Sequence, residues 1–299
     1  MELPAKLACL GYSFISSKMK EMAKGLGFFV VISALILGAC TLFDFPQDVK
    51  RFNESTDGSL SNASNVDAPG TNDFHFAVFG DSHHGLDDTT ELINRTGLSL
   101  INADSDIDFM VGLGDLTNSG RNHQYAGLKA TIDELTSIPF YPVLGNHDVW
   151  FNGWDNFKQT FGRSVYTFTA DHVTFIVVDS ASSTMNKGQF EWLRDRLIEN
   201  RDNVTIVATH VPVYTGLSGH YLLWDDPEQS YNFMQLCNQY NVDLVLQGHY
   251  HEFDDLTIGN VRFIVTGNWN TDIDGDTYHY LKIGVNGSGI TVTKVDFSI

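Results

Sequence analysis

Five short stretches of the 299-residue chain carry side chains able to bind metal ions. They are Gly80-Asp81-Ser82-His83, Gly114-Asp115, Gly145-Asn146-His147-Asp148, Ala208-Thr209-His210 and Gly248-His249-Tyr250-His251. The donors mix carboxylate and amide oxygens with imidazole nitrogens, and no thiolate is among them. That set suits Mn, Fe or Zn in a reactive site, and argues against a structural zinc–cysteine site. It is also larger than one ion needs. Two ions about 3.5–4 Å apart can share a bridging carboxylate and bring a bound water to a pKa near neutrality. The resulting hydroxide can attack a phosphorus whose oxygens the same ions neutralise. Asp81/His83 and His249/His251 are i,i+2 pairs, which point to one side of an extended chain. Four of the five stretches have Gly before the first donor, where a strand must turn sharply to release it. A Gly-Asp after a strand is commonly only a turn. The weight lies in five such stretches occurring together.

These donors need strands to carry them. Short β-branched or aromatic runs occur at Phe74–Phe79, Phe109–Leu113, Phe140–Leu144, Val173–Val178, Val204–Ala208, Val242–Leu246 and Val261–Val265. Each reads as a strand, and five of them end within a residue or two of a donor. Helical periodicity lies between several of them: Thr89–Ile101, Tyr125–Leu135, Gln189–Ile198 and Tyr231–Tyr240. The tail, Tyr278–Ile299, alternates like a hairpin around Asn286-Gly287-Ser288-Gly289. Strands alternating with helices predict an α/β domain, and the surplus of late strands predicts two sheets. In such folds ligands bind at the carboxyl ends of the strands, so donors spread over most of the chain converge on one crevice. No internal repeat and no second domain is expected.

The ordered set Asp81-x-His83, Gly114-Asp115, Gly145-Asn146-His147-Asp148, His210 and Gly248-His249-x-His251 resembles the calcineurin-like metallophosphoesterase superfamily. The resemblance runs from about Phe74 to the C-terminus. It implies a two-sheet β-sandwich flanked by helices. It implies one ion held by Asp81, His83 and His251, another held by Asn146, His210 and His249, and Asp115 between them. It gives His147 the role of protonating the leaving oxygen or stabilising the transition state, with Asp148 orienting its imidazole. Purple acid phosphatases carry a Tyr three residues after the bridging Asp, whereas Asn118 stands here. The run Gly114-Asp115-Leu116-Thr117-Asn118-Ser119-Gly120 is instead similar to the cyclic-nucleotide phosphodiesterase branch. The expected activity is therefore hydrolysis of phosphodiesters, ahead of the phosphomonoesters of nucleotides or sugars. A third reading is an inactive metal-dependent binding lipoprotein. Its mark would be a lost ligand or a lost His147, and neither is lost.

Several residues could face substrate. Val149–Trp154 is aromatic, with Trp150 and Trp154 directly after His147, and reads either as a lip over the site or as a helix start burying its rings. Tyr214 and His220 lie on the segment that follows His210, and His84 follows His83. The acidic Asp272–Asp276 lacks the distal Glu of an EF-hand and reads as a hairpin turn.

Composition narrows the partners. There are 18 Lys+Arg against 37 Asp+Glu, a formal charge of −19, and no basic stripe, so a nucleic-acid polymer is disfavoured as substrate. Three cysteines are too few for a disulfide framework, and Cys237 sits in an apolar helical pattern as a packed residue. At the N-terminus Lys18, Lys20 and Lys24 precede an apolar run that closes on Leu37-Gly38-Ala39-Cys40. The run is short for a membrane span, and its ending resembles a bacterial lipoprotein processing site. The expected organisation is a signal peptide over residues 1–39, lipidated Cys40 with a flexible tether over 40–72, and the catalytic domain over 73–299. The expected location is the cell envelope, with an exported protein anchored to a membrane through its lipid, at the outer membrane, cell surface or periplasm.

Overall fold

The first strand shows how the layers are built. In β1 (Asp73–Phe79) the side chains of Phe74, Phe76 and Val78 enter one buried cluster, while Ala77 and Phe79 enter another. Successive side chains on a strand alternate faces. A strand buried on both sides therefore reads as an unbroken apolar run. The same division recurs in β2 (Ile107–Gly112), where Phe109 and Val111 face inward and Met110 outward, and in β5 (Val173–Val177), where Val173, Phe175 and Val177 oppose Ile176.

The computed structural model describes residues 46–60, 73–216, 222–270 and 277–299. The signal peptide, Cys40, the later part of the expected tether, His220 and the Asp272–Asp276 turn lie outside the described residues. One sheet has the order β11-β10-β1-β2-β3, the other β4-β5-β6-β7-β9-β8. The remaining strands are β3 (Phe140–Pro142), β4 (Tyr166–Ala170), β6 (Val204–Ala208), β7 (Leu244–Gln247), β8 (Asp254–Ile258), β9 (Val261–Val265), β10 (His279–Asn286) and β11 (Gly289–Asp296). Both sheets are mixed. β1, β2 and β3 run parallel, as do β5, β6, β7 and β9, and the outer pairings are antiparallel.

The sheets close on each other through aromatic contacts. Phe76 stacks on Phe109 at 5.1 Å and meets Phe175 of the second sheet edge-on at 5.2 Å. Burying one such ring is worth about 1.5–3 kcal/mol. The outer face of the first sheet is covered by α2 (Asp88–Ala103), α3 (Asn122–Leu135) and α4 (Gly153–Thr160). The outer face of the second is covered by α5 (Lys187–Glu199) and α6 (Pro227–Gln239). The result is the expected α/β fold, a two-sheet sandwich flanked by helices. Among the described residues no helix is long and apolar enough to cross a membrane.

Three elements differ from expectation. The run Phe140–Leu144 pairs only as far as Pro142, because Val143 and Leu144 already lead into the loop that carries Asn146. The half-exposed strand β8 has too little apolar character to stand out. The tether is corrected most. Pro46–Thr56 forms a helix, α1, which belongs to the same structural unit as the rest of the domain. Its Arg51 is buried and donates from Nε to Asp179 Oδ2 at 2.6 Å and from Nη2 to Asp48 Oδ1 at 2.7 Å. Its Glu54 accepts from Trp154 Nε1 at 2.6 Å and from Lys158 Nζ at 2.9 Å. Polar composition suggested solvation, whereas these polar groups are satisfied by partners in the domain.

Candidate metal centre

The carboxyl ends of the parallel strands are knitted together by backbone hydrogen bonds. Asp81 N donates to Gly114 O at 3.0 Å, His83 N to Asp115 O at 2.9 Å, and Gly248 N to His210 O at 2.8 Å. His147 N donates to Asp115 Oδ1 at 2.8 Å and His249 N to Asp81 Oδ2 at 3.0 Å, and together these bonds bring the five motifs into one place. Asp115 is at the centre. Its Oδ2 lies 3.8 Å from His83 Nε2 and 4.0 Å from His147 Nε2, while its Oδ1 lies 3.4 Å from His210 Nε2. On one side Asp81 Oδ1 is 3.4 Å from His251 Nε2, and the His83 and His251 rings meet edge-on at 5.6 Å. On the other, Asn146 Oδ1 is 2.9 Å from His210 Nε2, and the His210 ring is 5.0 Å from that of His249. Among the described residues three overlapping donor groups, Asp81/His83/His251, His83/Asp115/His147 and Asp115/His210/His249, could each hold an ion.

The backbone is strained where the donors sit. Asp81, His83, Asp115, His249 and His251 all have positive φ, from 39° to 72°. Non-glycine residues avoid this region, and such outliers concentrate where the surrounding structure imposes a function. Close packing enforces it. A Cβ on Gly145 would lie 2.0 Å from Asp115 N, and one on Gly114, at φ +92°, would lie 2.5 Å from His210 Nδ1.

The electrostatics suit cations. Burial opposes ionisation of Asp115, but the His210 imidazole beside it prevails and holds the carboxyl well below its usual range. Burial likewise opposes charge on His210, yet Asp115 raises it to about 9. His251 is raised by Asp81 against its burial. Burial, then the neighbouring His210, lowers His249 to about 4, and burial lowers His83. Nδ1 of His251 is buried and, among the described residues, has no hydrogen-bond partner. Buried carboxylates, the neutral imidazoles of His83 and His249 and an unsatisfied ring nitrogen are what a metal site offers before the ion arrives, so the residues fit a metal. His210 Nδ1 lies 2.7 Å from Leu113 O, which fixes that nitrogen as a donor and leaves Nε2 for a ligand.

Residues 74–253 match the family model described as calcineurin-like phosphoesterase. The chain belongs to that family. It is 24% identical over 203 residues to a probable cyclic nucleotide phosphodiesterase of Fibrobacter succinogenes, covering 65% of this chain and 79% of that one. It is 24% identical to a probable glycerophosphodiester phosphodiesterase of Arcobacter nitrofigilis (54% of this chain, 59% of that one) and 32% identical to purple acid phosphatase 23 of Arabidopsis thaliana (56% and 38%). The fold is similar to that of a dimetal phosphatase from Danio rerio, at a TM-score of 0.61 and 12% identity, covering 74% of this chain and 95% of that one. This phosphoesterase is therefore a metal-dependent hydrolase of a dimetal family.

The surroundings of the centre correct several expectations. Asp148 does not orient His147. Its buried carboxylate accepts from the backbone N of Leu116, Thr117 and Gly145 and from Thr117 Oγ1, at 2.9–3.1 Å, and so buckles the second motif to the third. Burial, then the Asp115 charge, raises Asp148 to about 6. The His147 ring is held instead by the Asn118 carbonyl, which accepts from Nδ1 at 2.8 Å. His84 is buried with Nδ1 2.7 Å from Glu91 Oε2, so it ties α2 to the site loop and is no substrate contact. Trp154 is buried against α1, whereas Trp150 is exposed and stacks on His147 at 4.0 Å. Tyr214 is exposed and, among the described residues, has no hydrogen bond or ring contact with any candidate ligand.

Other supporting residues carry no motif. Asn270 Nδ2 donates to Asp81 O at 2.7 Å, and Asn94 Nδ2 donates to Ser82 O at 2.8 Å. Ser180 Oγ accepts from His210 N at 3.2 Å and Val211 N at 2.9 Å. Nothing local in the sequence marks these side chains, because each acts on backbone many residues away.

Proposed function

We propose that this chain is a phosphodiesterase for a small or lipid-linked phosphate ester outside the cytoplasm. The observation that carries this is the position of the Asp115 carboxylate, one oxygen toward His83 and the other toward His210, with His147 facing it from a partly exposed position. Asp81, His83 and His251 would hold one ion, Asn146, His210 and His249 the other, and Asp115 both. Two ions of the Mn, Fe or Zn type would supply Lewis acidity and an activated water at neutral pH. The protein's own part is positional. His147 keeps Nδ1 on the Asn118 carbonyl, which leaves Nε2 to give a proton to the leaving oxygen. Asp148 keeps the Asp115 and Asn146 loops in register through its four hydrogen bonds.

The names of the relatives support diesters over monoesters, as does Asn118 in the place of the purple acid phosphatase tyrosine. Phosphomonoesterase activity is the second reading, favoured by the match to purple acid phosphatase 23. Export rests on the stretch Leu37–Cys40, and five residues separate Cys40 from α1, so a lipid at Cys40 would leave only a short tether. Incorporation of labelled palmitate, lost in Cys40→Ala, tests that placement.

The activity test uses chelated protein reloaded with Mn, Zn or Fe. Its substrates are bis(4-nitrophenyl) phosphate and 4-nitrophenyl phosphate. Turnover should depend on metal and favour the diester. Both His147→Ala and Asp115→Asn should abolish most of it, the former by about 10²–10⁴-fold. Two bound metals with no hydrolysis of either ester would sink the enzymatic reading.

A further inference from the structure

The motif chemistry leaves unused one group at the edge of the site. Phe151 adopts φ 53° and is 72% exposed. An aromatic residue in the left-handed region costs energy, and this one recovers little of it through burial. Its ring instead carries the guanidinium of Arg121, whose Cζ lies 4.1 Å from the ring centroid. Arg121 is unusual in its own right. Among the described residues, every Lys and Arg other than Arg121 and Arg163 has a carboxylate within 4 Å. Arg163 donates to the Leu60 carbonyl. Among the described residues Arg121 is thus a cation without an acidic partner, in a chain of net charge −19.

Both residues belong to the segments that hold His147. Arg121 is three residues beyond Asn118, whose carbonyl receives His147 Nδ1, and Phe151 directly follows Trp150, which stacks on the His147 ring at 4.0 Å and 27°. The two segments are bound together by Asn156 Nδ2, which donates to Gly120 O at 2.7 Å. Asp148 O and Trp150 O also lie close enough to Gly120 that a Cβ there would stand within 2.8 Å of both. His147 is the member of the centre expected to face the leaving oxygen, so what lies beside it faces the leaving alcohol.

We propose that Trp150, Phe151 and Arg121 form a leaving-group subsite for phosphate esters whose departing alcohol carries its own negative charge next to a flat, apolar body. The inference rests on the phosphoesterase reading above. Trp150 offers a ring face for stacking, and Arg121, set on Phe151, offers a planar fork for a carboxylate or a second phosphate. The chain's net charge of −19 disfavours anions elsewhere, so a guanidinium seated on Phe151, in the segments that hold His147, selects where the charged end of the substrate goes.

The test is a matched pair of methyl aryl phosphates, one with a 4-carboxyphenyl leaving group and one with a 4-carbamoylphenyl group of the same shape. The quantity read is the charged-to-neutral ratio of kcat/KM, which cancels metal loading and folded fraction. Arg121→Gln should lower that ratio about tenfold relative to the wild type. Arg121→Lys should fall between the two, and added salt should lower the wild-type ratio but not that of Arg121→Gln. A ratio that is the same in wild type and Arg121→Gln, while both esters are hydrolysed, overturns the inference alone. If neither ester is hydrolysed with any metal, the phosphoesterase reading falls and takes the inference with it.

Discussion

Replacing Arg51 with Met removes the charge from the α1 anchor at nearly constant volume. Arg51 is only 3% exposed and lies between Asp179 and Asp48, each 4% exposed. It makes bonds of 2.6 and 3.3 Å to Asp179, 2.7 Å to Asp48 and 3.1 Å to Ser182 Oγ. Without it two buried carboxylates share one pocket with no cation. Breaking a buried pair in this way costs about 3–5 kcal/mol. At about 2–4 °C per kcal/mol for a domain of this size, the melting midpoint should fall by roughly 10 °C. The deficit should also depend on pH. Burial raises the Asp48 carboxyl above 3.8, and Arg51 is the main influence opposing that rise. Loss of Arg51 raises it further. A carboxyl with a raised folded-state pKa binds its proton on folding. Its contribution to stability is therefore present at low pH and lost as pH rises through the folded value. The Arg51→Met deficit, measured by urea unfolding, should be largest near pH 8 and shrink toward pH 5. Asp179→Leu added to Arg51→Met should recover part of it. A deficit below about 1 kcal/mol, the value of an exposed pair, and unchanged between pH 8 and 5, would refute the account of α1 as a docked helix.

Metal binding should release protons near pH 7, because Asp115 holds His210 protonated up to about 9 and a metal takes its Nε2. Calorimetry in buffers of different ionisation enthalpy should show this, with affinity rising toward pH 9 and then levelling; an enthalpy independent of buffer would contradict it. Gly145→Ala should fold yet lose metal and at least about 10²-fold in activity, because its Cβ would come within 2.0 Å of Asp115 N and 2.3 Å of Asp115 Oδ1. Full metal stoichiometry in that variant would show that the Asp115 loop yields. The buried Cys237 thiol is pushed well above its usual range by its burial, so a thiol reagent should modify it only after denaturation. Rapid modification of native protein would place Cys237 outside the core.

The candidate ligands could be read from the sequence because each depends on one strand and the turn that ends it. The apolar run Phe74–Phe79 ends where β1 stops, and Asp81 and His83 follow within four residues. The strand and ligand information is local, so a single sequence carries it. The supports are not local. Arg51 reaches Asp179 across 128 residues, Trp154 reaches Glu54 across 100, and Asn270 reaches Asp81 across 189. No periodicity records such pairings. Composition therefore made a tether of α1, and chain proximity made Asp148 the partner of His147. The two tryptophans show the limit most directly. Trp150 and Trp154 stand four residues apart and could equally have formed one lip. α4 begins at Gly153 and turns Trp154 toward Glu54, while Trp150 remains outside that helix on the His147 ring. What separates them is a partly exposed carboxylate acceptor, Glu54, brought by α1, an element whose docking depends on the ion pair that composition hides. Which of the two rings stays beside His147 thus follows from contacts on the far side of the domain, which the residues around His147 alone do not record.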